Sequence, residues 1–152
     1  MRFILFFILT TTAFLSYGSE TKVDEELLSL GIIDKNYKYK NIAEAATFFR
    51  NLANRESLSL PVMLNSDEEV VSMIATPFQV IYSYRIHRKF DNNSLKVVAQ
   101  LYNNPKRISE LCQQNYIHEF QRANGYVIKF IYSDLNGKII TEARLDNEVC
   151  NK

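Results

Sequence analysis

The sequence offers few side chains that could do chemistry. It has two histidines, His87 and His118, and neither belongs to an H-E-x-x-H motif or to another metal-binding spacing. It also has no G-x-S-x-G turn and no glycine-rich phosphate loop. We therefore expect no catalytic residue, no metal site and no cofactor. We interpret both histidines as ordinary surface or half-buried residues.

Acidic residues are the next candidates, because glycosidases use two carboxyl groups held about 5–10 Å apart in a cleft. Acidic clusters occur at Asp24-Glu25-Glu26 and at Glu68-Glu69. We interpret both clusters as solvated surface acids. Asp134-Leu135-Asn136-Gly137 could begin a calcium loop, but Leu145 stands where an EF-hand requires its closing glutamate. We interpret this stretch as a turn.

The first 18 residues have the layout of a secretory signal peptide. Arg2 precedes an apolar run from Phe3 to Leu9, and small and polar residues follow up to Gly18. The run is much shorter than the ~20 apolar residues that span a bilayer. We predict cleavage after Gly18, export to the periplasm or the medium, and no stable membrane anchor. The alternative is an uncleaved amino-terminal anchor.

The overall composition is that of one globular domain. Of the 152 residues, 47% are hydrophobic and 23% are charged, and the formal net charge is +1. Loss of Arg2 with the signal peptide would bring the chain still closer to neutrality. Because nucleic-acid binding depends on a basic surface that neutralises phosphates, we expect no nucleic-acid partner.

Cys112 and Cys150 are the two cysteines of the chain. An exported protein with an even number of cysteines usually pairs them, so we predict a disulfide between these two residues. Closing a loop of this length stabilises a fold by about 4 kcal/mol in the chain-entropy model. The alternative, two free thiols or a redox pair, is disfavoured because the cysteines lie far apart in the sequence.

Hydrophobic periodicity predicts the elements of secondary structure. Apolar residues recur at three-and-four spacing in three segments, which predicts helices at 41–55, 94–102 and 105–122. Alternation of apolar and polar residues predicts strands at 70–75, 78–87, 126–133 and 138–145. Asn136-Gly137 predicts a type I′ hairpin between the last two strands. Pro61 limits the segment 58–64 to an edge or irregular strand.

These elements predict an α+β fold with one disulfide. We expect an antiparallel sheet of four or five strands with the helices packed on one face, because alternating strands are typical of sheets covered on one side. Residues 19–40 should be poorly structured or form a short helix, and residues 41–152 should form a single domain. In the strand at 78–87, Tyr82 and Tyr84 should face the core, and Arg85 and His87 the polar side.

Several of these features occur together in a known group of proteins. Tyr82-Ser83-Tyr84 precedes the helical Leu111-Cys112; Gly125 then leads into a Y-x-D-x-x-G-K hairpin over Tyr132–Lys138, and Cys150 closes the pattern. This order resembles a loosely defined group of small exported bacterial proteins of unassigned function. The resemblance covers residues 60–150. It implies an α+β domain, an internal disulfide and residence outside the cytoplasm.

Three functional hypotheses follow. The first is a non-enzymatic interaction protein of the periplasm or the secretome that binds a protein partner. The second is a carrier of a small apolar ligand, with a pocket between sheet and helices. The third is a hydrolase with an unfamiliar site, ranked last because few groups suit acid–base catalysis. The candidate binding residues are Tyr82, Tyr84, Arg85 and His87, because tyrosines on a sheet face can form a recognition surface.

Overall fold

The computed structural model describes residues 21–151, so the predicted signal peptide at 1–18 lies outside the described residues. Five strands form one sheet in the order β1-β2-β3-β4-β5, and the α+β prediction is confirmed. No helix within residues 21–151 is long and apolar enough to cross a membrane. The elements, in chain order, are α1 Lys22–Ser29, α2 Ile42–Ser57, β1 Val62–Met63, β2 Glu68–Ala75, β3 Gln79–Ile86, α3 Asn92–Tyr102, α4 Pro105–Asn115, α5 Glu119–Ala123, β4 Val127–Ser133, β5 Ile139–Leu145 and α6 Asn147–Cys150.

The sheet is mostly antiparallel, with one exception that the alternation of side chains did not predict. Strands β1, β2 and β3 pair antiparallel, as do β4 and β5, but β3 and β4 run parallel with Val80 opposite Ile128. The reason is the connection: the chain leaves β3, passes through α3, α4 and α5, and enters β4 from the end at which β3 began. A sheet that is covered by helices on one face can therefore contain one parallel pair of strands.

Capping residues define the starts of α2, α3 and α4. The Asn41 side chain accepts hydrogen bonds from two backbone N–H groups at the start of α2, and Asp91 accepts one from Ser94 at the start of α3. Asn104 caps α4, and Pro105 occupies the first turn, where its missing N–H is harmless. These local signals account for all three predicted helix starts.

The predicted helix at 105–122 is divided in two. Helix α4 ends at Asn115, and α5 runs from Glu119 to Ala123. The break is stabilised by Asp24, whose carboxylate oxygens accept hydrogen bonds from the backbone N–H groups of Glu119 and Phe120, both at 3.0 Å. These N–H groups would otherwise lack a partner at a helix start. A capping residue 96 positions away therefore sets this boundary.

The core lies between the helices and one face of the sheet. Residues from the amino-terminal segment belong to it: Leu27 is fully buried, and Ile32 and Ile33 are almost so. From the sheet come Ile128, Phe130, Tyr132, Ala143 and Leu145, each no more than 2% exposed. Alternate residues of the same strands point to the opposite face, as period-two patterning requires. Phe78 was expected on the buried face, but it is 50% exposed because it precedes β3.

The hairpin between β4 and β5 occurs at the predicted place with a different turn. Asp134 accepts hydrogen bonds from the backbone N–H groups of Asn136 and Lys138 through its side chain, at 2.8 and 2.9 Å. Gly137 has a positive φ of 78°, whereas Asn136 does not, so the turn is not type I′. The hydrogen bonds that the Asp134 side chain accepts favour a loop longer than the two residues of a type I′ turn.

The predicted disulfide is present. Cys112 of α4 and Cys150 of α6 are bonded, with their Cα atoms 5.4 Å apart. Cys150 belongs to a short helix that follows β5. The bond therefore joins two helices on the β5 side of the sheet.

Candidate binding cleft

The helices do not cover the inner face of the sheet evenly. Helix α2 packs on β2, whereas α3, α4 and α6 contact β5. The gap between these two groups lies over the middle of the sheet, and two adjoining cavities occupy it. We call the pair the cleft, and its parts the outer cavity and the inner chamber. Leu52, Met73 and Tyr82 line both parts, so the two cavities meet there.

The outer cavity has a volume of about 390 Å³ and lies beside the short edge strand β1. Its lining is apolar and aromatic except for Glu56 and Ser59. Val62 lies on its rim and is 43% exposed. The cavity is lined by Leu52, Glu56, Ser59, Leu60, Val62, Val70, Met73, Tyr82 and Tyr84.

The inner chamber is smaller, at about 180 Å³, and lies deeper between α2, the α4–α5 junction and the sheet. Its walls are mainly apolar, with Phe49, Val80 and Ile128 among them, and its polar lining comes from the α4–α5 junction and two tyrosines. Tyr126 is 3% exposed and forms part of the wall. The sequence-based requirement for a ligand carrier, a cavity between sheet and helices, is therefore met by the geometry.

Aromatic rings form a continuous row beneath the cleft. Tyr82 stacks on Phe130 with ring centres 5.7 Å apart, and Tyr84 lies 5.0 Å from Tyr132, which in turn contacts Tyr102 at 4.2 Å. Burial raises the pKa of both Tyr82 and Tyr84, and the charge of Glu56 raises that of Tyr82 further. Their hydroxyls are therefore neutral hydrogen-bond donors across the physiological pH range.

The four candidate binding residues separate onto two faces of β3. Tyr82 and Tyr84 line the cleft. Arg85 and His87 lie on the opposite face, where both contact Oε1 of Glu69, at 2.8 Å from Arg85 Nη1 and 3.2 Å from His87 Nε2. Arg85 was expected on the polar side of the strand, and its ion pair with Glu69 lies there, outside the cleft. The binding role of all four remains a prediction.

Two acids expected to be solvated are buried. Asp24 is fully buried because its oxygens accept four hydrogen bonds, from the backbone N–H and the hydroxyl of Thr21 and from the two N–H groups at the start of α5. Glu69 is 7% exposed because Arg85 and His87 cover it. These four hydrogen bonds hold Asp24 between Thr21 and the start of α5. Asp24 therefore fixes the position of α5, which forms part of the chamber wall. Among residues 21–151 there is no group of acids, histidines and cysteines that could hold a metal ion.

Most of the cleft was not identified from the sequence. Leu52 lies in the predicted helix at 41–55 and Met73 in the predicted strand at 70–75, and neither was singled out as a binding residue. Val80 and Tyr126 lie in the predicted strands at 78–87 and 126–133, and both are buried. The hydrophobic periodicity of the sequence identifies the positions that face inward. It does not show that the packed helices leave a space between them.

No family model matches the sequence, and no curated protein matches it. Solved structures with a similar fold include a candidate secreted protein from Pseudomonas aeruginosa, with a TM-score of 0.55 and 13% identity over 72% of this chain and 95% of that chain. A pilotin of the type 2 secretion system from Vibrio vulnificus has a TM-score of 0.50 and 12% identity, over 72% of this chain and 94% of that one. At this identity the likeness shows a shared fold. The chain thus has the α+β fold of small bacterial proteins of this kind.

Proposed function

We propose that the protein is an exported, non-enzymatic binding protein whose cleft takes an apolar segment of a protein partner in the bacterial envelope. The observation that carries the proposal is the outer cavity, which is open to solvent, mainly apolar and bordered by the edge strand β1. Val62 on its rim is 43% exposed, and Met63 and Leu64, which follow it in the chain, are 50% and 55% exposed. Exposed apolar side chains beside an apolar cavity are typical of protein-binding surfaces.

The chemistry of the lining favours a protein segment. Tyrosine and methionine are enriched at the centres of protein interfaces, where they give a large contact area and adaptable packing. The outer cavity has both, in Tyr82, Tyr84 and Met73, and no lysine or arginine lines it. The one carboxylate of the lining, Glu56, is half exposed and pairs with Arg55 at 3.2 Å, so an apolar side chain of a partner can enter without leaving a buried charge unpaired.

The edge strand adds a second means of attachment. Strand β1 has only two residues, paired with Val70 and Glu69 of β2, so most of the neighbouring strand edge has no partner strand. An extended segment could add main-chain hydrogen bonds there while its side chains enter the outer cavity.

The comparisons support an envelope role. The fold is shared with a candidate secreted protein and with a pilotin of a type 2 secretion system. We therefore propose that the partner is a component of an envelope assembly, that residues 1–18 direct export and that residues 19–152 act outside the cytoplasm.

Site-specific photo-crosslinking tests the proposal. A benzoylphenylalanine is introduced at Tyr84, which lines the cleft, and in a second variant at Ser83, the adjacent residue on the opposite face. Both variants are produced in the source bacterium and irradiated in intact cells. We expect a discrete adduct with one envelope protein from position 84 only, identified by mass spectrometry.

The control separates specific binding from chance contact. Equal adducts from positions 83 and 84, or none from position 84 when the protein is exported and folded, contradict the proposal. Fractionation of the same cultures into cytoplasm, periplasm and medium tests export, with the periplasm or medium as the expected location.

A further inference from the structure

We propose that the inner chamber is a binding site for a small, uncharged ring compound that carries one hydrogen-bond-accepting oxygen, such as an aromatic ketone. This site is additional to the partner-binding role of the outer cavity and does not depend on it. The chamber has the size of one ring, two phenols that make no hydrogen bond within residues 21–151, and no lysine, arginine or carboxylate in its lining.

The size of the chamber fits one ring. Its volume of about 180 Å³ exceeds that of the roughly 150 Å³ apolar cavities that hold benzene in engineered proteins. Phe49, Leu52, Met73, Val80 and Ile128 supply apolar walls. A compound that fills the space would regain dispersion contacts that the empty chamber lacks. The common lining with the outer cavity offers a route of entry.

Tyr126 provides a polar group for recognition. Its ring is held between Phe49 and Phe120, with centres 5.8 and 5.3 Å away. Tyr126 is 3% exposed and lines the chamber, and its hydroxyl makes no hydrogen bond to residues 21–151. Among these residues Arg107 Nε is the one fully buried side-chain nitrogen or oxygen without a partner, so the Tyr126 hydroxyl borders the open space of the chamber and can donate to a ligand oxygen there.

Tyr82 lies close enough to act with Tyr126. Burial raises the pKa of Tyr126, and the phenols of Tyr39 and Tyr82 beside it raise it further. The Tyr39 hydroxyl donates to the carbonyl oxygen of Pro77, whereas the Tyr82 hydroxyl makes no hydrogen bond within the described chain. Tyr82 and Tyr126 both line the chamber, so two neutral phenols border one small space.

Three other polar residues of the chamber have partners of their own. Gln121 donates to the carbonyl oxygen of Asn115 and accepts from the N–H of His118, both at 3.0 Å. The Asn115 amide donates to the carbonyl oxygen of Leu111, and His118 Nδ1 contacts the hydroxyl of Thr21. These contacts fix the wall beside the two phenols, while Gln114 belongs to the lining as a solvent-exposed residue.

The absence of charge in the lining defines the class of ligand. No lysine, arginine or carboxylate lines the chamber. A carboxylate or an ammonium group would lose its hydration there without gaining a counter-ion, which is strongly unfavourable. The ligand is therefore uncharged, with an apolar body and an acceptor oxygen that suits the two phenols.

Three matched compounds test the inference by methyl NMR on the purified protein. Acetophenone has the ring and the acceptor, ethylbenzene has the ring alone, and benzoate has the ring and a charge. We expect acetophenone to shift the methyl resonances of Val80 and Ile128 and to leave those of Ile74, on the other face, in place. The protein should bind acetophenone about 3- to 10-fold more tightly than ethylbenzene, because acetophenone accepts one additional hydrogen bond. It should bind acetophenone more than about tenfold more tightly than benzoate, because the charge of benzoate would lose its hydration in the chamber.

Removal of each hydroxyl identifies the donor. Tyr126→Phe and Tyr82→Phe keep the rings, and at least one should abolish the preference for acetophenone while leaving ethylbenzene affinity within about twofold. Tyr102→Phe is the matched control, because its hydroxyl bonds Glu68 outside the chamber, and it should keep the full preference. Unmoved Val80 and Ile128 resonances, equal binding of acetophenone and ethylbenzene, or a preference retained in both Tyr126→Phe and Tyr82→Phe overturns the inference.

Discussion

The two halves of the inner sheet face are equally apolar in sequence and differ in how they are covered. The closed half, over β4 and β5, lies under α3, α4 and α6, and Tyr132, Ala143 and Leu145 are almost completely buried there. The open half, over β2 and β3, lies beside α2 and contains the cleft, with Met73, Tyr82 and Tyr84 only partly buried. The same alternation of residues thus gives stability in one half and an accessible surface in the other.

Loss of the disulfide, which lies in the closed half, should have the largest effect on the free energy of unfolding. It joins α4 to α6 across a loop of 38 residues, so the double substitution Cys112→Ala/Cys150→Ala should lower the free energy of unfolding by about 4 kcal/mol. Urea denaturation followed by circular dichroism measures this. The loss is a large share of a typical stability of roughly 5–15 kcal/mol.

Reduction of the unmodified protein provides the control for that experiment. A reducing agent should lower its stability to that of the double variant and leave the variant itself unchanged. A loss below about 1 kcal/mol in both tests would show that the closed half does not depend on the bond.

Truncation of one side chain in each half is expected to have the next largest effect. Leu145 is fully buried in the closed half, so Leu145→Ala should cost about 3 kcal/mol through lost burial and a new cavity. Met73 borders existing space in the open half, so Met73→Ala should cost about 1 kcal/mol. Equal losses, measured by urea denaturation, would contradict the division into halves.

Local signals in the sequence predicted most of the elements. Asn41, Asp91 and Asn104 cap helices at the expected positions, and Gly125 has the positive φ of a residue just past a helix end. Each of these features depends on a few neighbouring residues.

Features that depend on distant contacts were not predictable. The break between α4 and α5 requires the buried carboxylate of Asp24, and the parallel pairing of β3 with β4 depends on the path of the chain through three helices. The cleft is the same kind of feature. Alternation places Tyr82 and Tyr84 on the inner face, but only the packed structure shows that the helices leave a gap above them.

The smallest expected effect concerns pH and the wall of the inner chamber. Burial lowers the pKa of His118; the nearby Asp24 carboxylate acts in the opposite direction, and Arg122 lowers the pKa further. The folded protein therefore binds fewer protons than the unfolded chain as the pH falls below about 6.5, so stability should decline there. Above that pH the contribution is fully present.

A comparison with His118→Gln isolates this contribution. Carboxylates titrate in both proteins, so the difference between their urea midpoints at pH 7.5 and pH 5.0 reports on His118. The unmodified protein should lose more stability on acidification than the variant. An identical or smaller loss would contradict the assignment of a buried, neutral histidine to the chamber wall.

The central claim is that the open half is the binding half, and one pair of variants tests it most directly. Val62→Asp places a charge on the rim of the outer cavity, and Ile74→Asp places one on an exposed residue, 59% accessible, of the opposite face. Both are measured for affinity toward the partner identified by crosslinking at position 84. We predict that Val62→Asp weakens binding at least about tenfold and that Ile74→Asp changes it less than about twofold. Equal losses, or a loss confined to Ile74→Asp, would contradict the account.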